Sequence, residues 1–328
     1  MAVTSRGAVD PATVAVAEGG ADDVVDTAGT DAAVDEVAGH VAAWAATPAE
    51  ARADLLDQVL RDTMAAQDDW LRAACAAKGL EWGSLEAGEE LFAGIGTLVR
   101  MTRLFRDSLR QIAQDGRPAL AGPVSQAVDG RLRVRVFPAT AYDRVVFPQT
   151  TAEVWMQPGV TREDLESGQA AAYVDPMAHA GVSLVLAAGN VASLGPRDAL
   201  SKLFVDGKVV VMKANPVNEY LVAHWDRALG ALVRAGVLRI VTGGAGVGRY
   251  LAAHPQIGDV HITGSDKTYD AVVFGTGAAG AARKAEDHPV LDKPVTAELG
   301  NVSPVIIVPG SGRRASCCIK PSTWPPCW

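Results

Sequence analysis

SLVLAAGN, residues 183–190, is an apolar run of strand length that stops at a glycine and an asparagine, and the chain repeats this plan three more times. KVVVMKANP follows at 208–216, LRIVTGGAGVG at 238–248 and DVHITGS at 259–265. Between and after these runs, residues 195–204, 218–234 and 248–254 read as helices. Continuous apolar runs of this length read as strands buried on both faces. Strands alternating with helices at this spacing require right-handed crossovers. The pattern predicts an α/β fold, a doubly wound Rossmann-type parallel sheet, over 183–308. Sheets of this kind take ligands at the carboxyl ends of their strands.

Each predicted strand ends in residues suited to a dinucleotide. Gly189 and Asn190 follow the first, Lys213 closes the second, and Pro216 stands just beyond it. The run GGAGVG, with Gly243 and Gly246, follows the third; Thr263, Gly264 and Ser265 follow the fourth. Glycines let phosphate approach the backbone, and a helix N-terminus favours negative charge. Taken singly, GGAGVG lacks the G-x-G-x-x-G spacing and reads equally well as loop punctuation, and a lysine at a strand end is ordinarily solvated. Beyond these blocks, PVTAELGNVSPVIIV at 294–308 sets Glu298 on a glycine turn between two β-branched runs, a candidate active-site base.

Working outward, residues 1–45 are acidic and lack sustained periodicity, which predicts a mobile leader with at most a short helix near Asp31. Residues 46–182 are expected to form a helical region plus a small β element. Thr47-Pro48-Ala49-Glu50 has the form of a helix start with Thr47 as N-cap. Leu56, Leu60, Met64 and Leu71 then recur at helical spacing before Gly79. Ser84 is placed to cap a second long helix whose stripe of Leu91, Ile95, Leu98, Phe105, Leu109 and Ile112 runs to Gly116, with Gly94 and Gly96 weakening its first half. RLRVRVF at 131–137 alternates arginine with apolar residues, a strand with one wet face. Its arginines suggest anion binding or, more plainly, a charged edge that discourages stray pairing. Residues 145–147 and 152–156 are expected to make a hairpin or short added strands.

A chain of 328 residues that is 48% hydrophobic buries a sizeable core. The formal net charge of −8, with basic residues scattered, argues against nucleic-acid binding. No apolar run is long enough to span a bilayer and no signal-like N-terminus stands out, so the expected location is cytoplasmic, with no membrane partner. The four cysteines and six histidines show neither a disulfide framework nor a zinc spacing, so no metal is expected. After residue 310 the pattern breaks: SGRRASCCIKPSTWPPCW at 311–328 has lost all periodicity, and 309–328 is expected to be an aberrant tail.

Together the ordered blocks resemble the NAD(P)-dependent aldehyde dehydrogenase superfamily. The matching stretches are Asn190 after the first strand, VVVMKANP around Lys213, IVTGGAGVGRYLAAHP, VHITGS, and TAELGNVSP around Glu298, with weaker similarity back to Trp44 and Arg52. The resemblance implies an oxidoreductase that oxidises an aldehyde with NAD or NADP. The alternatives are a coenzyme A-dependent acyl or aldehyde reductase of the same superfamily, or a non-catalytic dinucleotide-binding scaffold. It implies that Asn190 donates to the developing oxyanion and that Glu298 activates the deacylating water. Lys213 would bond the adenosine ribose, with Pro216, Gly243, Gly246 and Thr263 in the cofactor site and Gly264 and Ser265 covering the pyrophosphate. A small-molecule aldehyde or acyl substrate is implied, and a homo-oligomer in the full-length form.

The chain departs from the family pattern in several places. Gly189 replaces a tryptophan, Pro216 a ribose-binding glutamate, and Tyr269 a glycine of the pyrophosphate loop. In the family the nucleophilic cysteine lies farther beyond the glutamate than this chain extends, and Cys317, Cys318 and Cys327 stand in an unrelated context. The expectation is therefore truncation or a frameshift before the catalytic cysteine, with most of the catalytic domain missing and the chain inactive as written. The apolar run at 304–308 would then be left as an exposed edge inviting association.

Overall fold

A computed structural model of the protein describes residues 25–300. The tail from 309 on, with Cys317, Cys318 and Cys327, and the run at 304–308 lie outside the described residues.

Two sheets organise the chain. The smaller comprises β1 (Val124–Gln126), β2 (Leu132–Phe137) and β3 (Ala152–Trp155), antiparallel in the order β1-β2-β3. The larger comprises β4 (Val182–Leu186), β5 (Val209–Lys213), β6 (Leu238–Val241), β7 (Ile257–Gly264) and β8 (Val295–Leu299). These five are parallel in the order β6-β5-β4-β7-β8. The chain therefore winds outward from β4 in one direction through β5 and β6, then returns to its other side with β7. Between β4 and β7 the winding reverses, and there a crevice opens at the carboxyl ends of the strands.

Every side chain of β4 and β5 is buried. Leu184, Val185, Val209, Val210, Val211 and Met212 are completely so, each worth about 1.5–3 kcal/mol of transfer free energy. The crossover helix Leu194–Phe204 lies so close to this sheet that a Cβ on Gly195 would stand 2.7 Å from the Ala187 Cβ and 3.3 Å from the Met212 sulfur. A glycine at the first turn of that helix is what permits the approach. The crossover expected as one helix over 218–234 is divided into a 3₁₀ turn, Pro216–Leu221, and the helices Val222–Ala228 and Gly230–Arg234. Pro216 opens the 3₁₀ turn, and the side chain of Asn215 caps it by accepting from the Val217 N–H at 3.1 Å.

The leader expected over 1–45 is corrected from Thr27 onward. Thr27–Ala38 and Val41–Ala45 are helices, the first capped by Asp26 accepting from the Gly29 N–H at 3.0 Å. Val34, Val37 and Trp44 are buried in the core that also holds Leu184, Leu200 and Val211, and the Trp44 ring meets Phe204 edge-on at 5.6 Å. The Tyr250 hydroxyl donates to Asp31 at 2.6 Å, and that bond leads in pushing the phenol up to about 12. Alanine and valine bury a face without the strong periodicity that larger residues would print on the sequence, and so this docking was not legible there.

The long helix Ala49–Ala77 begins one residue later than the Thr47 cap implies: Pro48 is its N-cap, and the Thr47 hydroxyl donates back to the Ala43 carbonyl at 2.8 Å. Its buried face includes Leu56, Val59, Trp70 and Leu71, whereas Met64 is 46% exposed. The second helical run, from Ala87 to Asp115, ends at Gly116 in the left-handed conformation. Over Glu90–Gly96 it takes a π-helical turn, with Gly94 at non-helical angles. Ser84 accepts from the Ala87 N–H at 3.2 Å at its start.

Two further expectations are overturned. β2 is the middle strand of its sheet, so its arginines do not guard an edge; Arg133 pairs with Glu153 on β3 at 3.5 Å and stacks on Trp155. Residues 145–147 are no strand: Ala141–Val146 is a helix, held by a capping box in which Thr140 and Asp143 exchange hydrogen bonds. A local polar cap outweighs the β-propensity of Val145 and Val146.

Candidate functional site

A cavity of ≈ 810 Å³ opens where the doubly wound sheet reverses, at the carboxyl ends of β4, β5, β7 and β8. Its walls carry Asn190, Lys213, Thr263, Gly264, Ser265 and Glu298, six of the nine residues singled out from sequence. Pro216, Gly243 and Gly246 are not among the lining residues; Gly244, Ala245 and Gly248 line it instead, because the helix Ala245–Ala253 begins in the middle of the glycine run. The Gly243 N–H is turned to the Glu219 carboxylate, to which it donates at 2.7 Å.

Lys213 is the last residue of β5 and is 7% exposed. Its ammonium makes no hydrogen bond or ion pair with the described residues. Burial draws its pKa below the ordinary lysine value, against a smaller upward pull from Glu219. A buried cation of this kind leaves desolvation uncompensated unless a ligand supplies acceptors.

The loop after β4 is set by polar contacts from beyond β5. The Asn218 side-chain N–H donates to the Ala188 carbonyl at 3.2 Å in a buried position. A Cβ on Gly189 would meet the Asn215 amide at 2.9–3.2 Å, so a larger residue here would require the Asn215 side chain, which forms the wall there, to move. Asn190, one residue on, is exposed on the lining of the cavity.

On the far wall β7 leads through Gly264 into Ser265, which caps the helix Asp266–Val273 by accepting from the Thr268 N–H at 3.1 Å. Lys267 and Thr268 on its first turn also face the cavity, bringing a cation to the dipole's positive end. Glu298 stands next to the end of β8, paired in register with Thr263 on β7. It is therefore a strand residue with Gly300 beyond it, not a turn residue as expected. It is exposed toward the cavity, while Thr263 is buried and donates to Asp198 at 2.7 Å.

Asn215, Lys267 and Thr268 were missed in the sequence reading. Asn215 before Pro216 carried the turn signal that could have found it; nothing in the sequence distinguishes Lys267 from any helical lysine.

Residues 152–315, half of the chain, match the aldehyde dehydrogenase family. This chain belongs to that family. The aldehyde dehydrogenase fold recurs in solved structures at identities low enough to speak for the fold alone. Aldehyde dehydrogenase C of Pseudomonas syringae, a variant in complex with NAD+ and octanal, is 20% identical with a TM-score of 0.51 over 86% of this chain and 44% of that one. An aldehyde dehydrogenase of Bartonella henselae is 16% identical with a TM-score of 0.50, over 84% and 44% of the two chains. Proline utilization A of Bradyrhizobium japonicum is 18% identical with a TM-score of 0.50, over 84% and 22%. The chain thus spans less than half the length of these aldehyde dehydrogenases. No curated protein sequence matches it. Among the described residues no helix is long and apolar enough to cross a membrane.

Proposed function

We propose that this chain provides the dinucleotide-binding part of an aldehyde dehydrogenase, with NAD or NADP as cofactor and a small aldehyde as substrate. The observation that carries the reading is Lys213: a buried lysine whose ammonium has no partner among the described residues and which lines a cavity of ≈ 810 Å³ at the switch point of a doubly wound sheet. Hydroxyls of an adenosine ribose would supply the acceptors it lacks. Ser265 and the N-terminus of the Asp266–Val273 helix suit a pyrophosphate on the facing wall.

A nicotinamide dinucleotide, when bound, supplies a hydride acceptor. The remaining chemistry is assigned to this chain's own groups. The Asn190 amide N–H would donate to a substrate carbonyl oxygen as negative charge grows on it. Glu298, an exposed carboxylate on the same cavity, would take a proton from water attacking an acyl group. The thiolate nucleophile is assigned to none of the described residues: Cys75, the free cysteine among them, is buried and does not line the cavity.

Fluorescence titration of the purified chain with NADH and NADPH tests this reading. Saturable binding of at least one, weakened about tenfold or more in Lys213→Gln, is the expected result, since a hydrogen bond to a charged group is worth ~1.5–3 kcal/mol. Binding of neither, or equal binding by the variant, overturns it.

A further inference from the structure

Behind the cavity wall a polar chain runs across β7 and β8. His261 pairs in register with Thr296, and Thr263 with Glu298. Successive side chains of a strand alternate faces, so all four stand on one face of the sheet. Above that face lies Asp198, 8% exposed, from the helix Leu194–Phe204. The Thr263 hydroxyl is 2.7 Å from Asp198 Oδ2 and 3.2 Å from His261 Nε2, and His261 Nδ1 is 2.8 Å from the Thr296 hydroxyl.

The direction of this chain follows from proton counting. An ionised carboxylate only accepts, so the single Thr263 hydroxyl proton goes to Asp198. The contact between Thr263 and His261 must then be donated by the imidazole, which puts the neutral proton on Nε2. That leaves Nδ1 to accept from Thr296. Thr263 lines the cavity beside Glu298, and with its proton committed inward it offers a ligand only an oxygen lone pair.

We propose that Asp198 is a positioning residue which, through Thr263 and His261, makes the Thr263–Glu298 corner of the cavity an acceptor-only surface, selecting a ligand group that brings its own proton, a hydroxyl or an amide N–H. The inference rests on the dinucleotide reading for the identity of that ligand, and on the chain's own geometry for the rest. Protonation of Asp198 makes it a donor to Thr263, frees the Thr263 proton and removes the selectivity. The charged or titratable groups facing Asp198 are Arg197 on its own helix, His261 on β7 and Glu298 on β8. The helix also meets the apolar Met212 of β5 and Ala187 just past β4, and from the helix Thr97–Asp115 the hydroxyl of Thr97, 3.4 Å from Ser193. Burial first, and then the Glu298 charge, hold the Asp198 carboxyl above the ordinary aspartate range, opposed by Thr263 and His261.

The test has two arms on the full chain. In the first, ¹⁵N-histidine NMR of the protein without ligand reads the neutral tautomer of His261. Protonation at Nε2 in the wild type and in Thr263→Ser, with a mixture in Thr263→Val, is expected; an Nδ1-protonated wild type overturns the proposal. In the second, NADH titrations across pH should show affinity rising about tenfold as Asp198 ionises, the worth of one hydrogen bond, and no such rise in Asp198→Asn. An identical pH profile in the variant overturns the proposal. If the wild type binds no NADH, the dinucleotide reading fails while the first arm still decides the hydrogen-bond chain. Thr263→Ser, which keeps the hydroxyl, separates loss of the chain from loss of the fold.

Discussion

β5 and β8 are five-residue parallel strands of one sheet, yet all five side chains of Val209–Lys213 are buried, while Val295–Leu299 has only Val295 half-buried and the other four exposed. β5 lies between β4 and β6, with helices packed on it; β8 lies beyond β7, next to the cavity. The difference separates two uses of the same backbone. In β5 the side chains answer to packing until the last residue, Lys213, which lines the cavity. In β8 Thr296 and Glu298 share a face with His261 and Thr263, and the strand serves as a mount for polar groups.

The largest effect is expected in the core: Leu184→Ala on β4, beside β5, should cost about 2–5 kcal/mol by urea denaturation. Leu299→Ala on β8, at a side chain already 37% exposed, should cost less than about 1 kcal/mol. Equal losses would mean that β8 is as much a part of the folding core as β4.

Next in size is Lys213→Gln, the place where β5 turns functional. NADH affinity should fall about tenfold or more while folding stability holds or rises, because the buried ammonium no longer has to be desolvated. A loss of stability together with binding would make Lys213 a structural residue.

A smaller effect concerns Asp198. Its carboxyl titrates above the ordinary aspartate range when folded, so the folded chain holds its proton longer than the unfolded chain. The stability from this group is present in acid, and is lost as pH rises from the unfolded aspartate range, about 4, through the folded value. Asp198→Asn should therefore gain on the wild type across that window and run parallel above it, in denaturation curves collected at several pH values. The smallest effect is at Thr296→Val, an exposed side chain of β8 that loses its hydrogen bond to His261, about 0.5–1 kcal/mol in stability.

The parallel strands were legible because strands buried on both faces print continuous apolar runs, and β4, β5, β6 and β7 begin and end within a few residues of the expected limits. That Lys213, Asn190 and Glu298 line the cavity was foreseeable because each lies near a strand end, where ligand sites of this architecture lie. The helices Thr27–Ala38, foreseen only as a short helix near Asp31, and Ala141–Val146 were not. One is an alanine and valine helix that gains its stability by docking, the other a β-branched segment held by a capping box. Asp198 and His261 escaped notice because an aspartate in a helix and a histidine in a strand carry no motif.

The alternation of strand and helix, the strand ends and the family are written in local pattern and spacing. Tertiary structure alone decided which polar groups meet. β7 and β8 are separated by two helices in the chain, and it is their register that brings His261 opposite Thr296 and Thr263 opposite Glu298, under an aspartate from a third element. Hydrogen bonds reach about 3 Å, so a network of this kind exists only once the sheet has closed and set those distances.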